Sequence, residues 1–163
     1  MRSILGASLL LACAAAAGCA STGSSKGSSA AQVETVALSK DDVWRKLTGY
    51  LTSHNIPMRK IQKGDGIISA ASAVSLKTMT AQQKSDFAAN ANCGVKFSTA
   101  GGYVTGVTIF VRGSSTKTSV LVKAAFEEVK FLGVGGNFTP DQVIAKCPST
   151  GRLEAQILSA LAN

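Results

Sequence analysis

From residue 33 onward, apolar positions recur either at every second residue or at every third to fourth, and these two periods divide the chain into strand and helix segments. Residues 33–38 read as a short first strand. Residues 40–53 then place Val43, Leu47, Tyr50 and Leu51 at helical spacing, with Trp44 beside them, which predicts an amphipathic helix packed on a sheet. Ser39 stands as its N-cap, and Asp41 and Asp42 occupy the first turn, where the helix dipole favours negative charge. Asn55 followed by Ile56-Pro57 ends it. Two short runs, 58–62 and 66–71, flank Lys63-Gly64-Asp65 and predict a hairpin on the turn-prone Gly64-Asp65-Gly66. Thr80 and Gln83 fit a capping box for a short helix over 81–91, with Phe87 and Ala88 inward.

The clearest alternation falls in 104–112 and 118–126, two β-branched runs separated by Gly113-Ser114-Ser115-Thr116, which predict a long antiparallel hairpin. Its inward sets are Val107, Ile109 and Val111 on one strand and Val120, Val122, Ala124 and Phe126 on the other. Gly133-Val134-Gly135-Gly136 lacks the Lys-Ser or Lys-Thr of a phosphate loop and reads as an ordinary loop. Ser149 caps a C-terminal helix with Leu153, Ile157, Leu158 and Leu161 on one side. The expected fold is α+β: an antiparallel sheet of four or five strands, with the 40–53 helix and the C-terminal helix packed on one face.

The start of the chain follows a different pattern. Arg2, an apolar core from residue 4 to residue 11, and the small residues Ala14-Ala15-Ala16-Ala17-Gly18 have the order of a secretory signal peptide. The run falls short of the ~20 apolar residues that span a bilayer. Cys19 after Ala-Ala-Gly resembles the lipobox cysteine of bacterial lipoproteins, which takes a diacylglycerol and becomes the first residue of the mature chain. Cys13 competes for that role, since Leu10-Leu11-Ala12-Cys13 matches the usual letters, but it leaves an apolar core of only about eight residues, so Cys19 is preferred. A signal peptide cut without lipidation is the remaining alternative. The division is then 1–18 lipoprotein signal peptide, 19–32 lipidated cysteine with a flexible Gly/Ser-rich tether, and 33–163 one periplasmic domain. Such a tether spans on the order of 20 Å.

Composition narrows what the domain can meet. The chain carries 17 Lys and Arg against 9 Asp and Glu; without Arg2 this becomes 16 against 9, a formal +7. For an exported chain that charge faces lipid headgroups, lipopolysaccharide phosphates and cell-wall carboxylates, with no nucleic acid expected. Cys93 and Cys147 form a single pair in an oxidising compartment and are expected to bridge, closing a loop worth roughly 4 kcal/mol in the chain-entropy model. The lone histidine, His54, and the missing Cys-x-x-Cys argue against a metal site, and no cofactor is expected. Candidate contacts for a ligand or partner are Trp44, Tyr50 and His54 between helix and sheet, and the basic residues Arg45, Arg59, Lys60 and Lys63. Whether those basic residues share a face is not fixed by spacing, and a charged strand edge that discourages aggregation is the competing explanation.

Val43-Trp44 and Leu47, the Ile56-Pro57 exit, Gly66-Ile67-Ile68, Cys93-Gly94, and the closing Cys147-x-Ser149-Thr150-Gly151-x-Leu153-Glu154 resemble a family of small proteobacterial lipoproteins. The strand, helix, hairpin opening is also similar to the helix-grip repeats of the BamC-type lipoprotein of the outer-membrane barrel-assembly machinery. Ala20 stands where an aspartate would resemble an inner-membrane retention signal, so the resemblance implies the periplasmic face of the outer membrane. The expectation is a non-catalytic interaction or structural component of the cell envelope, held by its lipid anchor and meeting an envelope protein. A binding module for an anionic or apolar small ligand, such as a lipid, glycan or cell-wall fragment, is the alternative.

Overall fold

The computed structural model describes residues 31–93, 101–132 and 139–162, so Cys13, Cys19, most of the tether and the glycine run at 133–136 lie outside the described residues. Six strands and three helices follow one another as β1 (Gln32–Val36), α1 (Lys40–Ser53), β2 (Met58–Gln62), β3 (Ile67–Ser75), α2 (Ala81–Asn90), β4 (Gly101–Gly113), β5 (Thr118–Leu132), β6 (Thr139–Cys147) and α3 (Arg152–Ser159). The strands form one antiparallel sheet in the order β1-β5-β4-β3-β2, with β6 also paired to β5. The fold class is α+β, as the periodicity implies.

β5 organises the sheet. One edge pairs with β4 along the whole hairpin, from Gly113↔Thr118 to Gly101↔Lys130. The other edge is shared end to end, with β1 on residues 118–122 and β6 on residues 126–132. Where the two meet, the backbone N–H of Ala124 donates to Glu154 Oε1 at 3.2 Å. Glu154 is fully buried, and its second oxygen accepts from Ser149 Oγ at 2.9 Å. A buried carboxylate is tolerated because it collects donors at the break between two strands.

The inward sets of the long hairpin are buried as expected, and they join Ile68 and Ala70 of β3 in a single core. Val43, Trp44, Leu47 and Leu51 of α1 and Leu153, Ile157 and Leu158 of α3 close over this face, as does Leu161 just past α3. Phe87 of α2 stacks on Tyr103 at 3.9 Å between centroids and meets Phe126 edge-on at 5.5 Å. Each fully buried side chain of the Val or Leu class contributes on the order of 1.5–3 kcal/mol.

Local signals also hold. Ser39 Oγ accepts the Asp42 N–H at 3.1 Å, and both arms of the Thr80/Gln83 capping box are present. Gly66 has φ +71°, and a Cβ there would overlap the Val111 carbonyl, so only glycine lets the β2–β3 turn lie against β4. Cys93 and Cys147 are joined with their Cα atoms 4.4 Å apart. Beside the bridge, Asn92 N–H donates to Pro148 O and Thr150 N–H to Asn90 O, each at 2.9 Å, which clasps the exit of α2 to the entry of α3.

Several expectations need correction. Among the described residues the sheet gains a sixth strand beyond the expected four or five, β6, which the sequence hides because it lacks alternation: it carries Pro140, and its adjacent Val143 and Ile144 are 46% and 48% exposed. β5 runs past residue 126 to Leu132 through the polar stretch Glu127, Glu128 and Lys130. β1 ends at Val36, two residues early, where the chain turns into the Ser39 cap. Ala88 is exposed, and Phe87 alone of α2 is buried. Ser149 does not cap α3; Gly151, at φ +83°, takes the N-cap position, while Ser149 Oγ accepts the Gly151 N–H at 3.0 Å and donates to Glu154.

Candidate functional site

All three helices lie over one side of the sheet. The other side is bare among the described residues, and strand alternation sends every second residue of β3, β4 and β5 to it. Register sets Ala71, Gly106 and Ala125 in one row across the three strands. These small residues floor a groove of about 430 Å³, with Arg59, Phe110 and Lys123 at its walls. A Cβ built at Gly106 would meet nothing nearer than the Ala125 carbonyl at 3.8 Å, so the missing side chain opens space that the backbone does not require. A second groove of about 330 Å³ adjoins it, lined by Val33, Arg112, Ser119 and Leu121 together with the same Phe110 and Lys123. Phe110 faces Leu121 across the strand pair. Val33 of β1 is 65% exposed beside them.

Carboxylates are unevenly divided between the two sides, whereas basic residues occur on both, with Lys40, Arg45, Lys46, Lys84 and Arg152 on the helices. The carboxylates of Asp41, Asp42, Asp86 and Glu154 sit on helices, and register places Glu34 opposite Val120 and Glu128 opposite Tyr103, with the covered side. The bare side carries Arg59, Lys60 opposite Ser69, Arg112, Lys123 and Lys146, with Glu127 opposite Lys146. Arg59 is the extra residue where the β2 register shifts between Met58 and Lys60. A bulge re-aims a side chain in this way. The Lys123 ammonium lies over the Phe110 ring, 6.0 Å from its centroid.

The residues singled out from the sequence therefore separate. Trp44 is 8% exposed in the core and lines none of these grooves. Arg45 pairs with Asp42 at 2.6 Å and Lys63 with Asp41 at 2.9 Å, both at the start of α1. The Lys63 ammonium holds the Asp41 carboxyl below its ordinary range. Arg59 and Lys60 belong to the bare side, so the basic residues do not form one patch. Tyr50, whose phenol is pushed up by burial, stacks on His54 at 3.9 Å. His54 closes α1, where its Nδ1 donates to the Tyr50 carbonyl at 2.9 Å.

His54 also borders a groove of about 390 Å³ on the helical side, together with Met79, Phe87, Asn90 and Tyr103. Asn90 Oδ1 is buried there with no hydrogen-bond donor among the described residues. Burial, with a smaller contribution from the Glu128 charge, pushes the Tyr103 phenol up to about 12. Among the described residues, no three His, Cys, Asp or Glu side chains gather as metal ligands, and no helix is long and apolar enough to cross a membrane.

The residues that sequence reasoning missed are Val33, Phe110, Arg112, Leu121 and Lys123. A signal was available: the outward set of the hairpin, where polar residues are expected, holds Phe110 and Leu121. No protein-family model matches the chain, and no curated protein matches it.

Proposed function

We propose that the chain is an outer-membrane lipoprotein, anchored through Cys19 on the periplasmic face, whose 33–163 domain acts by docking rather than by reaction. The resemblance to small proteobacterial lipoproteins belongs to the same proposal. The observation that carries it is the side of the sheet left uncovered among the described residues, where Phe110, Leu121 and Val33 lie beside Arg59, Arg112 and Lys123. Val33 is exposed and Phe110 and Leu121 are half-buried, and apolar side chains on an uncovered face with a polar rim mark an interaction site. The Cys93–Cys147 bridge suits an oxidising compartment.

The test is the mass and fractionation of the protein purified from native envelopes. A chain that begins at Cys19, carries acyl mass and floats with outer membrane supports the reading, whereas an unmodified chain in the soluble fraction overturns it. Crosslinking in the same envelopes reads the envelope protein expected as a neighbour.

A second reading, a module holding a small ligand, draws on Asn90 Oδ1, a buried acceptor beside the groove at Tyr103 that has no donor among the described residues. A ligand with one hydrogen-bond donor and an apolar body would satisfy it. A small molecule that survives native mass spectrometry of the purified protein, and is lost in Asn90→Leu, supports this reading.

A further inference from the structure

We propose that the bare side of the sheet lies on an anionic phospholipid surface, with Phe110, Leu121 and Val33 entering the interface and Arg59, Arg112 and Lys123 meeting lipid phosphates. This rests on the lipid-anchored reading and adds the occupant of the docking face. Apolar and basic side chains interleave on it as they do on interfacial membrane binders, which gain from burying apolar area and from attraction to anionic headgroups together. Lys123 over Phe110 illustrates the pairing: a basic head group and an aromatic ring share one patch of the face.

Charge decides between occupants. A second copy docked face to face would set Arg59, Arg112 and Lys123 against their own kind, which like-charge repulsion disfavours. A surface of lipid phosphates complements all three. Geometry agrees, since the chain enters the sheet at β1, whose Val33 is itself part of the face. A tether from position 19 spanning on the order of 20 Å would keep that edge within reach of its own bilayer and raise the effective lipid concentration. In this orientation α1, α2 and α3 face away from the membrane and are free to meet an envelope protein.

The experiment uses the full chain purified from envelopes and reconstituted into phosphatidylcholine vesicles with or without phosphatidylglycerol, part of it brominated. Two reporters are compared, Phe110→Trp on the bare side and Gln82→Trp on α2, each matched to the parent in melting temperature. The expected result is quenching of Phe110→Trp, but not of Gln82→Trp, in phosphatidylglycerol vesicles, reversed by salt. Combining Arg59→Gln, Arg112→Gln and Lys123→Gln should weaken docking by on the order of a hundredfold, given the contribution of each basic residue near an anionic surface. Equal quenching of both reporters, none at Phe110→Trp, indifference to the triple substitution, or quenching only with lipopolysaccharide would overturn the proposal. A crosslink from position 110 to an acidic protein in place of lipid would overturn it as well. Failure to float removes the anchor and not the face, because protein added to the same vesicles from solution still reports on the face.

Discussion

The two sides of this sheet are built from the same strands, with their residues interleaved one by one, yet they answer to different constraints. Val107, Ile109 and Val111 of β4 point into a core that helices close, and each is essentially inaccessible. Gly106, Thr108, Phe110 and Arg112 alternate with them and meet no helix among the described residues. On the covered side, residue choice is explained by packing density, since a lost methylene there leaves a void. On the bare side packing demands little, so a phenylalanine facing a leucine between basic residues asks for an explanation outside the domain. A cross-strand pair that merely steadies the hairpin is the competing account.

Substitutions that separate the two sides test this contrast. Trp44→Ala, on the covered side, should destabilise the domain by about 3–5 kcal/mol in urea unfolding. A loss below about 1 kcal/mol would take Trp44 out of the core. Cys93→Ser should cost ~2–4 kcal/mol under oxidising conditions and nothing in reductant, because the closed loop constrains the unfolded chain only while the bridge exists.

Tyr103, stacked beneath α2, gives the covered side an alkaline signature. Its phenol is raised to about 12 from an ordinary 10.0, so the folded state holds the proton more tightly than the unfolded chain. That contribution is complete below pH 10 and is lost as pH rises toward 12. Tyr103→Phe should remove that alkaline loss, so the two pH–stability curves should diverge above pH 10, and parallel curves would contradict the assignment. The smallest effect belongs to the bare side: Phe110 and Leu121 are half-buried and face each other across the strand pair, so Phe110→Ser with Leu121→Ser should cost about 1 kcal/mol. A loss of several times that would favour the cross-strand account over docking.

The sequence made the covered side legible because burial enforces periodicity. Val43, Leu47 and Leu51 recur at helical spacing, and the hairpin repeats valine and isoleucine at every second position, since any other order would put charge in the core. Caps were readable where a side chain supplies them, as at Ser39 and Thr80, but not at α3, where a left-handed glycine does so and Ser149 serves Glu154 instead. β6 escaped notice because a strand exposed at the sheet margin needs no apolar rhythm and tolerates Pro140. The bare side was illegible as a site because its members are scattered through the chain. Val33, Arg59, Phe110 and Lys123 become neighbours only once the register of β1 through β5 is known, whereas Arg45 and Lys63, close to Arg59 in sequence, are drawn off by Asp42 and Asp41.

The most direct test of the contrast is photo-crosslinking in intact envelopes, with a benzoylphenylalanine in place of Phe110 in one strain and of Gln82 in another. Phospholipid adducts at position 110 together with their absence at position 82 is the result predicted by a sheet lying with its bare side on the bilayer. Lipid adducts at neither position, or at both alike, would contradict it.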